Sequence, residues 1–174
     1  YSVHKDLNIF AGEYPGAKDV NECRMKVQGA FCSSKIKYFY DLTCEGELTP
    51  YANFLDGNKC YFRFPIPGCG VPANTGIVAR LCQEIIYRGE SGTKPYDGIY
   101  IHCWGGVGRT GTIVACLYAY LMRNQGLGAE ELYTKAMLQL QDGFSRCPKS
   151  KHRVSPENNL QRNFVKKFID NECL

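Results

Sequence analysis

Apolar positions along the chain follow two rhythms, and each rhythm predicts an element. Asn8-Ile9-Phe10-Ala11-Gly12 is a short apolar run closed by the turn signal Tyr14-Pro15-Gly16, which predicts a strand. From Asp19 to Cys32 the spacing of Val20, Cys23, Val27 and Phe31 predicts a helix. Lys35 to Leu42 is an aromatic-rich strand pattern. Thr43 to Asn58, polar and broken by Gly46, Pro50 and Gly57, predicts a long loop. Cys60 to Phe64 predicts another strand, and Pro65 to Pro72 a loop, because its prolines and glycines exclude regular structure.

The second half is dominated by helical spacing. A helix from Gly76 to Tyr87, capped by Asn74 or Thr75, would turn Ile77, Leu81, Ile85 and Ile86 inward. Gly89 to Pro95 reads as a connector and Gly98 to His102 as a strand. Thr110 to Arg123 is apolar all round, which predicts a buried helix ended by Gly126 and Gly128. Ala129 to Gln141 is a more amphipathic helix stopped by Gly143, followed by a basic loop from Arg146 to Arg153. A last helix starts at Ser155-Pro156-Glu157, with Ser as cap and Pro in the first turn. It runs to about Asn171, with Leu160, Phe164, Val165 and Phe168 inward. Strands alternating with helices, then helices alone, predict an α/β fold: a small, mostly parallel sheet with helices on both faces.

Composition adds bounds. A chain of 174 residues suits a single domain over residues 1–174. A net charge of +4 fits an anionic substrate and does not by itself imply nucleic acid. No apolar run is long enough to span a bilayer. Ten cysteines admit an oxidised secreted scaffold or a reduced interior. Cys60, Cys82, Cys103 and Cys116 sit in apolar patterns, and the core is large enough not to need staples. The expectation is therefore a reducing, cytoplasmic setting. The chain opens on Tyr1 and not Met, so a targeting segment upstream would be invisible here.

The candidate chemistry lies between the Gly98–His102 strand and the apolar helix after it. Cys103 and Arg109 enclose Trp104, Gly105, Gly106, Val107 and Gly108. The bare spacing also occurs from Cys82 to Arg88, in a helical pattern, and from Cys147 to Arg153, in a polar stretch. Only the Cys103 copy joins strand to helix through glycines. Such a loop can wrap a tetrahedral oxyanion with backbone N–H groups, a helix N-terminus and a guanidinium fork. The helix N-terminus and Arg109 both favour a Cys103 thiolate, which would be the nucleophile. Thr110 can donate a hydrogen bond to the sulfur and help it leave. His102 would tune the loop from behind and Trp104 would wall the pocket. The competing readings are a nucleotide-binding loop, which lacks its Gly-Lys-Ser/Thr, and a structural glycine turn with an incidental cysteine.

His102-Cys103-Trp104-Gly105-Gly106-Val107-Gly108-Arg109-Thr110-Gly111 resembles the signature of cysteine-dependent protein tyrosine phosphatases, in their small dual-specificity-like branch. Phe10 to Gly16, Asp41-Leu42-Thr43 with Glu45 and Glu47, Phe64 to Pro67, and Arg153 with Ser155-Pro156-Glu157 and Gln161 are similar to segments of the same branch. The resemblance implies the phosphatase fold, a phosphocysteine intermediate, no metal and no cofactor. Lys149, Lys151, His152 and Arg153 form a basic run that either flanks an acidic substrate or is a solvated loop, and the resemblance makes Arg153 and Gln161 auxiliary candidates. The partner it implies is a phosphorylated protein or a small phosphomonoester.

One departure stands out. The resemblance places a general-acid Asp at the position that Gly68 occupies. Three explanations follow: another carboxylate (Glu45, Asp56 or Asp97) supplies the proton, the domain is a slow phosphatase or phosphate-binding module, or the residue was changed deliberately. The expected function is hydrolysis of phosphotyrosine, with phosphoserine and phosphothreonine as further substrates. The alternatives are a phosphopeptide-binding module and a phosphatase of inositol phosphates or nucleotides; absence of Lys among the residues between Cys103 and Arg109 argues against a highly anionic phosphoinositide.

Overall fold

The computed structural model of the protein describes residues 1–91 and 97–174. Among the described residues, five strands form one sheet: β1 (Ser2–His4), β2 (Ile9–Gly12), β3 (Ile36–Asp41), β4 (Cys60–Arg63) and β5 (Gly98–His102). Their order is β1-β2-β5-β3-β4, and only β1 runs antiparallel to its neighbour. The helices are α1 (Val20–Phe31), α2 (Thr75–Ser91), α3 (Gly108–Met122), α4 (Ala129–Ser145) and α5 (Asn159–Glu172). No helix among the described residues is long and apolar enough to cross a membrane.

The predicted α/β fold with helices on both faces is what the packing shows. Alternation along the strands sends Ile9, Ala11, Tyr40, Leu42, Ile99 and Ile101 to one face, where they pack with buried residues of α2 to α5. Phe39 points to the other face and meets Cys23, Val27 and Phe31 of α1, with Tyr51 and Tyr100. Helix α3 is buried on nearly every residue, as its all-apolar sequence requires. All ten cysteines are unpaired.

Strand register decides where chemistry can sit. Gly12 and Asp41 both stand opposite His102, and Arg63 stands opposite Asp41. The carboxyl ends of four parallel strands therefore form one row, the usual place for a site in an open α/β sheet. The loops that leave this row carry residues 13–18, 44–50, 67–69 and 103–107, and all four line one cleft of about 1500 Å³.

Several local expectations are corrected. Strand β1 has only three residues and no apolar run to announce it. A 3-10 turn, Ala52–Phe54, interrupts the predicted loop, and another, Pro148–Lys151, occupies the basic stretch. Val20 and Leu160 are exposed, because the buried stripes of α1 and α5 fall on Cys23, Val27 and Phe31, and on Phe164, Val165, Phe168 and Ile169. Helix α2 continues to Ser91, so the connector expected from Gly89 is helical at its start and its remainder, 92–95, lies outside the described residues. Asn74 caps α2 through the amide of Ile77. Helix α4 runs through Gly143, which lets the ring of Tyr1 approach: a Cβ there would lie 2.7 Å from Tyr1 Cδ2. Ser155 does not cap α5. Asn158 does, in a reciprocal capping box with Gln161.

Candidate active site

The loop from Cys103 to Val107 is held from outside, by its carbonyls. His102 Nδ1 donates to the Cys103 carbonyl at 3.2 Å. The Tyr14 amide donates to Trp104 O at 2.9 Å, and Lys149 Nζ to Gly105 O at 3.1 Å. Ser155 Oγ donates to Val107 O at 2.7 Å. Peptide planes fixed with their carbonyls outward leave their N–H groups facing the other way. Accordingly, the amides of residues 104–110 donate to no partner among the described residues. Gly106 makes the path possible. It sits at φ 70°, and a Cβ there would lie 2.5 Å from the backbone of Gly12.

Arg109 lies in the first turn of α3 and is 6% exposed. Its Nη1 donates to Glu47 Oε2 at 2.8 Å and to Ile66 O at 3.0 Å, and its Nη2 donates to Glu47 Oε1 at 2.5 Å. A guanidinium has five N–H groups. The edge left free carries the Nε–H and one Nη2–H, a parallel pair suited to two oxygens of a phosphoryl group. The hydrogen bonds from Arg109 hold the Glu47 carboxyl below the usual carboxylate range, against a smaller opposing effect of burial.

His102 is fully buried between Cys103 O and the Tyr51 hydroxyl, which lies 2.6 Å from its Nε2. Burial pushes the imidazole below its ordinary pKa, although Asp41 and the Cys103 carbonyl pull the other way. Burial also raises the Tyr51 phenol well above its usual value. The ring is therefore neutral, with its proton on Nδ1 and Tyr51 donating to Nε2. Asp41, itself buried, accepts from the amide and hydroxyl of Thr43 and from Tyr61, at 2.7–2.8 Å.

The cleft gathers most of the expected residues. Cys103, Trp104, Gly105, Val107, Gly108, Arg109, Arg153, Gln161 and Gly68 all line it. Trp104, 57% exposed, stands on its edge. Thr110 corrects one expectation: its hydroxyl is buried and has no hydrogen-bond partner among the described residues, Cys103 included, so the bond to the Cys103 sulfur is not made. Gln161 is fully buried, packs on Gly108, closes the cap of α5 and donates to Gly70 O at 3.2 Å. Arg153 is ion-paired with Glu157.

Two of the three candidate proton donors lie elsewhere. Asp97 pairs with Lys37 at the amino end of β5, opposite the cleft, and Asp56 accepts from Cys32 Sγ at 3.3 Å. Glu45 lines the cleft. Among the described residues no three His, Cys, Asp or Glu side chains cluster as metal ligands would.

Sequence reasoning missed the residues that act on the loop from a distance. Glu47 was visible only through the resemblance, and nothing local marked Tyr14, Lys149 or Ser155 as braces. The pairing of Asn158 with Gln161 had a signal, the three-residue capping-box spacing.

A ring of free amides, a free guanidinium edge and a cysteine at the carboxyl end of a parallel sheet together define the protein tyrosine phosphatase class, in its dual-specificity-like branch. Residues 26–153 match the family described as "PTP-SAK: Swiss Army Knife protein, DSP-PTPase phosphatase domain", and the chain belongs to that family.

Among curated relatives, a tyrosine phosphatase by name, 067L of Invertebrate iridescent virus 3, is 29% identical over 94% of this chain and 62% of its own length. Cyclin-dependent kinase inhibitor 3 of Rattus norvegicus is 34% identical over 62% of this chain and 52% of its own length. The chain thus spans between about half and two thirds of these two relatives, and 30% of a further one, 197R of Invertebrate iridescent virus 6. Solved structures of similar fold include Tk-PTP in its active form (TM-score 0.68, 18% identity, 94% of this chain and 92% of that one). Another is kinase associated phosphatase with serine for its catalytic cysteine (TM-score 0.63, 19% identity, 91% and 83%). A third is PTPMT1 in complex with PI(5)P (TM-score 0.61, 16% identity, 98% and 94%).

Proposed function

We propose that this chain hydrolyses phosphomonoesters, phosphotyrosine in proteins first and phosphoserine or phosphothreonine next, with Cys103 as nucleophile. The observation that carries the reading is the loop itself: its carbonyls are tied outward around Cys103 while its amides and one edge of Arg109 stay free. The Cys103 sulfur attacks phosphorus, the bond to the ester oxygen breaks, and a phosphocysteine forms. The amides of residues 104–110 and the Arg109 fork carry the charge that spreads over the equatorial oxygens. Water then breaks the P–S bond and returns the thiol.

Charge around the cleft favours a phosphoprotein over a polyanion. Lys18, Arg109, Lys149 and Arg153 line it, but so do Glu13, Glu45, Glu47 and Glu157. A substrate with several phosphates would meet four carboxylates, whereas a single phosphate on an aromatic ring reaches the loop beside Trp104. A phosphoinositide, the ligand in the PTPMT1 structure, is the lesser alternative.

A second reading has its own observation: Gly68 offers no carboxyl where the family resemblance expects one, which would suit a module that binds phosphopeptides with little turnover. The test is release of phosphate from a phosphotyrosine peptide by the parent and by Cys103→Ser. The enzyme reading expects the variant to lose at least about 10³-fold in rate while still binding the peptide. Equal rates would refute a Cys103 nucleophile. Tight binding by the parent with no turnover would establish the binding module.

A further inference from the structure

The proton that the leaving group needs has a candidate source on a different loop from the expected one. Four carboxylates line the cleft among the described residues. Glu13 is ion-paired with Lys149, Glu157 with Arg153, and Glu47 with Arg109. A carboxylate held by a cation is poorly placed to carry a proton. Glu45 makes no hydrogen bond and no ion pair within contact distance of any described residue, with only the charge of the more distant Arg63 acting on it, and it is exposed to the cleft.

Its position is not accidental to the loop. Cys44 to Glu47 is a tight turn closed by the Glu47 amide on Cys44 O at 3.2 Å, with Gly46 at φ 76°. Glu45 occupies its tip. The Glu47 carboxylate accepts from the Cys44 amide at 3.1 Å and clamps the same turn to Arg109. The group that would grip the phosphate thus fixes, through two residues of chain, the turn that carries Glu45.

We infer that Glu45 is the proton donor of this site, in the role that Gly68 cannot fill. The inference rests on the reading of Cys103 as nucleophile. As Cys103 sulfur bonds to phosphorus and the P–O bond to the phenol breaks, the electron pair stays on the phenolic oxygen. The Glu45 carboxyl gives that oxygen its proton. The resulting carboxylate then accepts a proton from the water that attacks the phosphocysteine, and the cycle closes with Glu45 protonated again. Glu13 and Glu157 remain with their cations throughout.

The experiment compares the parent, Glu45→Gln, Gly68→Asp/Glu45→Gln and Cys103→Ser on two esters. Phenyl phosphate needs a proton on its leaving oxygen; 2,4-dinitrophenyl phosphate does not. Glu45→Gln is expected to lose about 10²-fold or more on phenyl phosphate, with the deficit collapsing on the dinitrophenyl ester. Adding Gly68→Asp is expected to recover the phenyl phosphate rate, since nothing among the described residues lies within 4 Å of a Cβ at that position. The fast release of dinitrophenol also shows that the variant's loop is intact. An unchanged rate on phenyl phosphate, or equal deficits on both esters, overturns the assignment of Glu45. Turnover that survives Cys103→Ser overturns the nucleophile instead, and the donor role with it, so the two failures are told apart.

Discussion

Gly106 and Gly68 stand on the same cleft system and have opposite reasons for being glycine. Gly106 is compelled: φ 70° and a Cβ that would lie 2.5 Å from Gly12 backbone leave no other residue a place. Gly68 is free of any such demand, with nothing among the described residues within 4 Å of its missing Cβ and no positive φ. One glycine shapes the phosphate loop. The other marks where a side chain could stand and does not. In the proposed reaction the contrast would separate two tasks, binding of the phosphoryl group and protonation of the leaving group, onto different loops, so that one could be kept while the other moves.

The largest expected effect tests the compelled glycine. Gly106→Ala should cost about 3 kcal/mol of stability, from left-handed strain and the collision with Gly12, and should abolish phosphate binding. Denaturant unfolding with and without inorganic phosphate measures both. An Ala variant of parental stability would show that the loop accommodates a methyl group between Gly106 and Gly12 without strain.

Next comes the clamp between the two regions. Glu47→Gln leaves the buried Arg109 charge without its counter-ion and should cost about 2–3 kcal/mol. It should also change the response to acid. The Glu47 carboxyl is lowered in the folded state by Arg109, so its stabilisation is complete above the ordinary carboxylate range and is lost as pH falls through the lowered value. Thermal midpoints taken down a pH series should show a steeper acid loss in the parent than in Glu47→Gln. Parallel curves would remove Glu47 from that role.

The smallest effect belongs to the free glycine. Gly68→Ala should raise stability by about 0.4–1 kcal/mol, because it only narrows the unfolded ensemble. A loss of more than that would show that the Pro67–Gly70 turn, closed by Gly70 N on Pro67 O, needs glycine after all.

Much of this was legible in the chain, and the limit is physical. Hydrophobic period located β2 to β5 and all five helices, because burial on one face is written locally. The same period put α3 beneath the sheet, and the glycine density between Cys103 and Arg109 marked the cradle. Strand β1 escaped because three residues at a sheet edge need no apolar run. Leu160 misled because it stands one position off the stripe of α5. Ser155-Pro156 imitated a helix start, yet the serine was spent on Val107. Glu47 meets Arg109 across 62 positions, and Ser155 meets Val107 across 48. Pairings at that distance depend on the finished fold, and local pattern carries no trace of them.

The braces on the loop have a consequence for how the chain can be cut. Tyr14 lies near one terminus, and Lys149 and Ser155 toward the other, yet all three close on the same five residues between them. The signature is therefore not a portable module. A fragment holding the strand, loop and helix, without residues from either flank, would keep the sequence of the cradle and lose its shape. If the loop takes an anion as proposed, its capture would report that Tyr14, Lys149 and Ser155 have all closed on the loop.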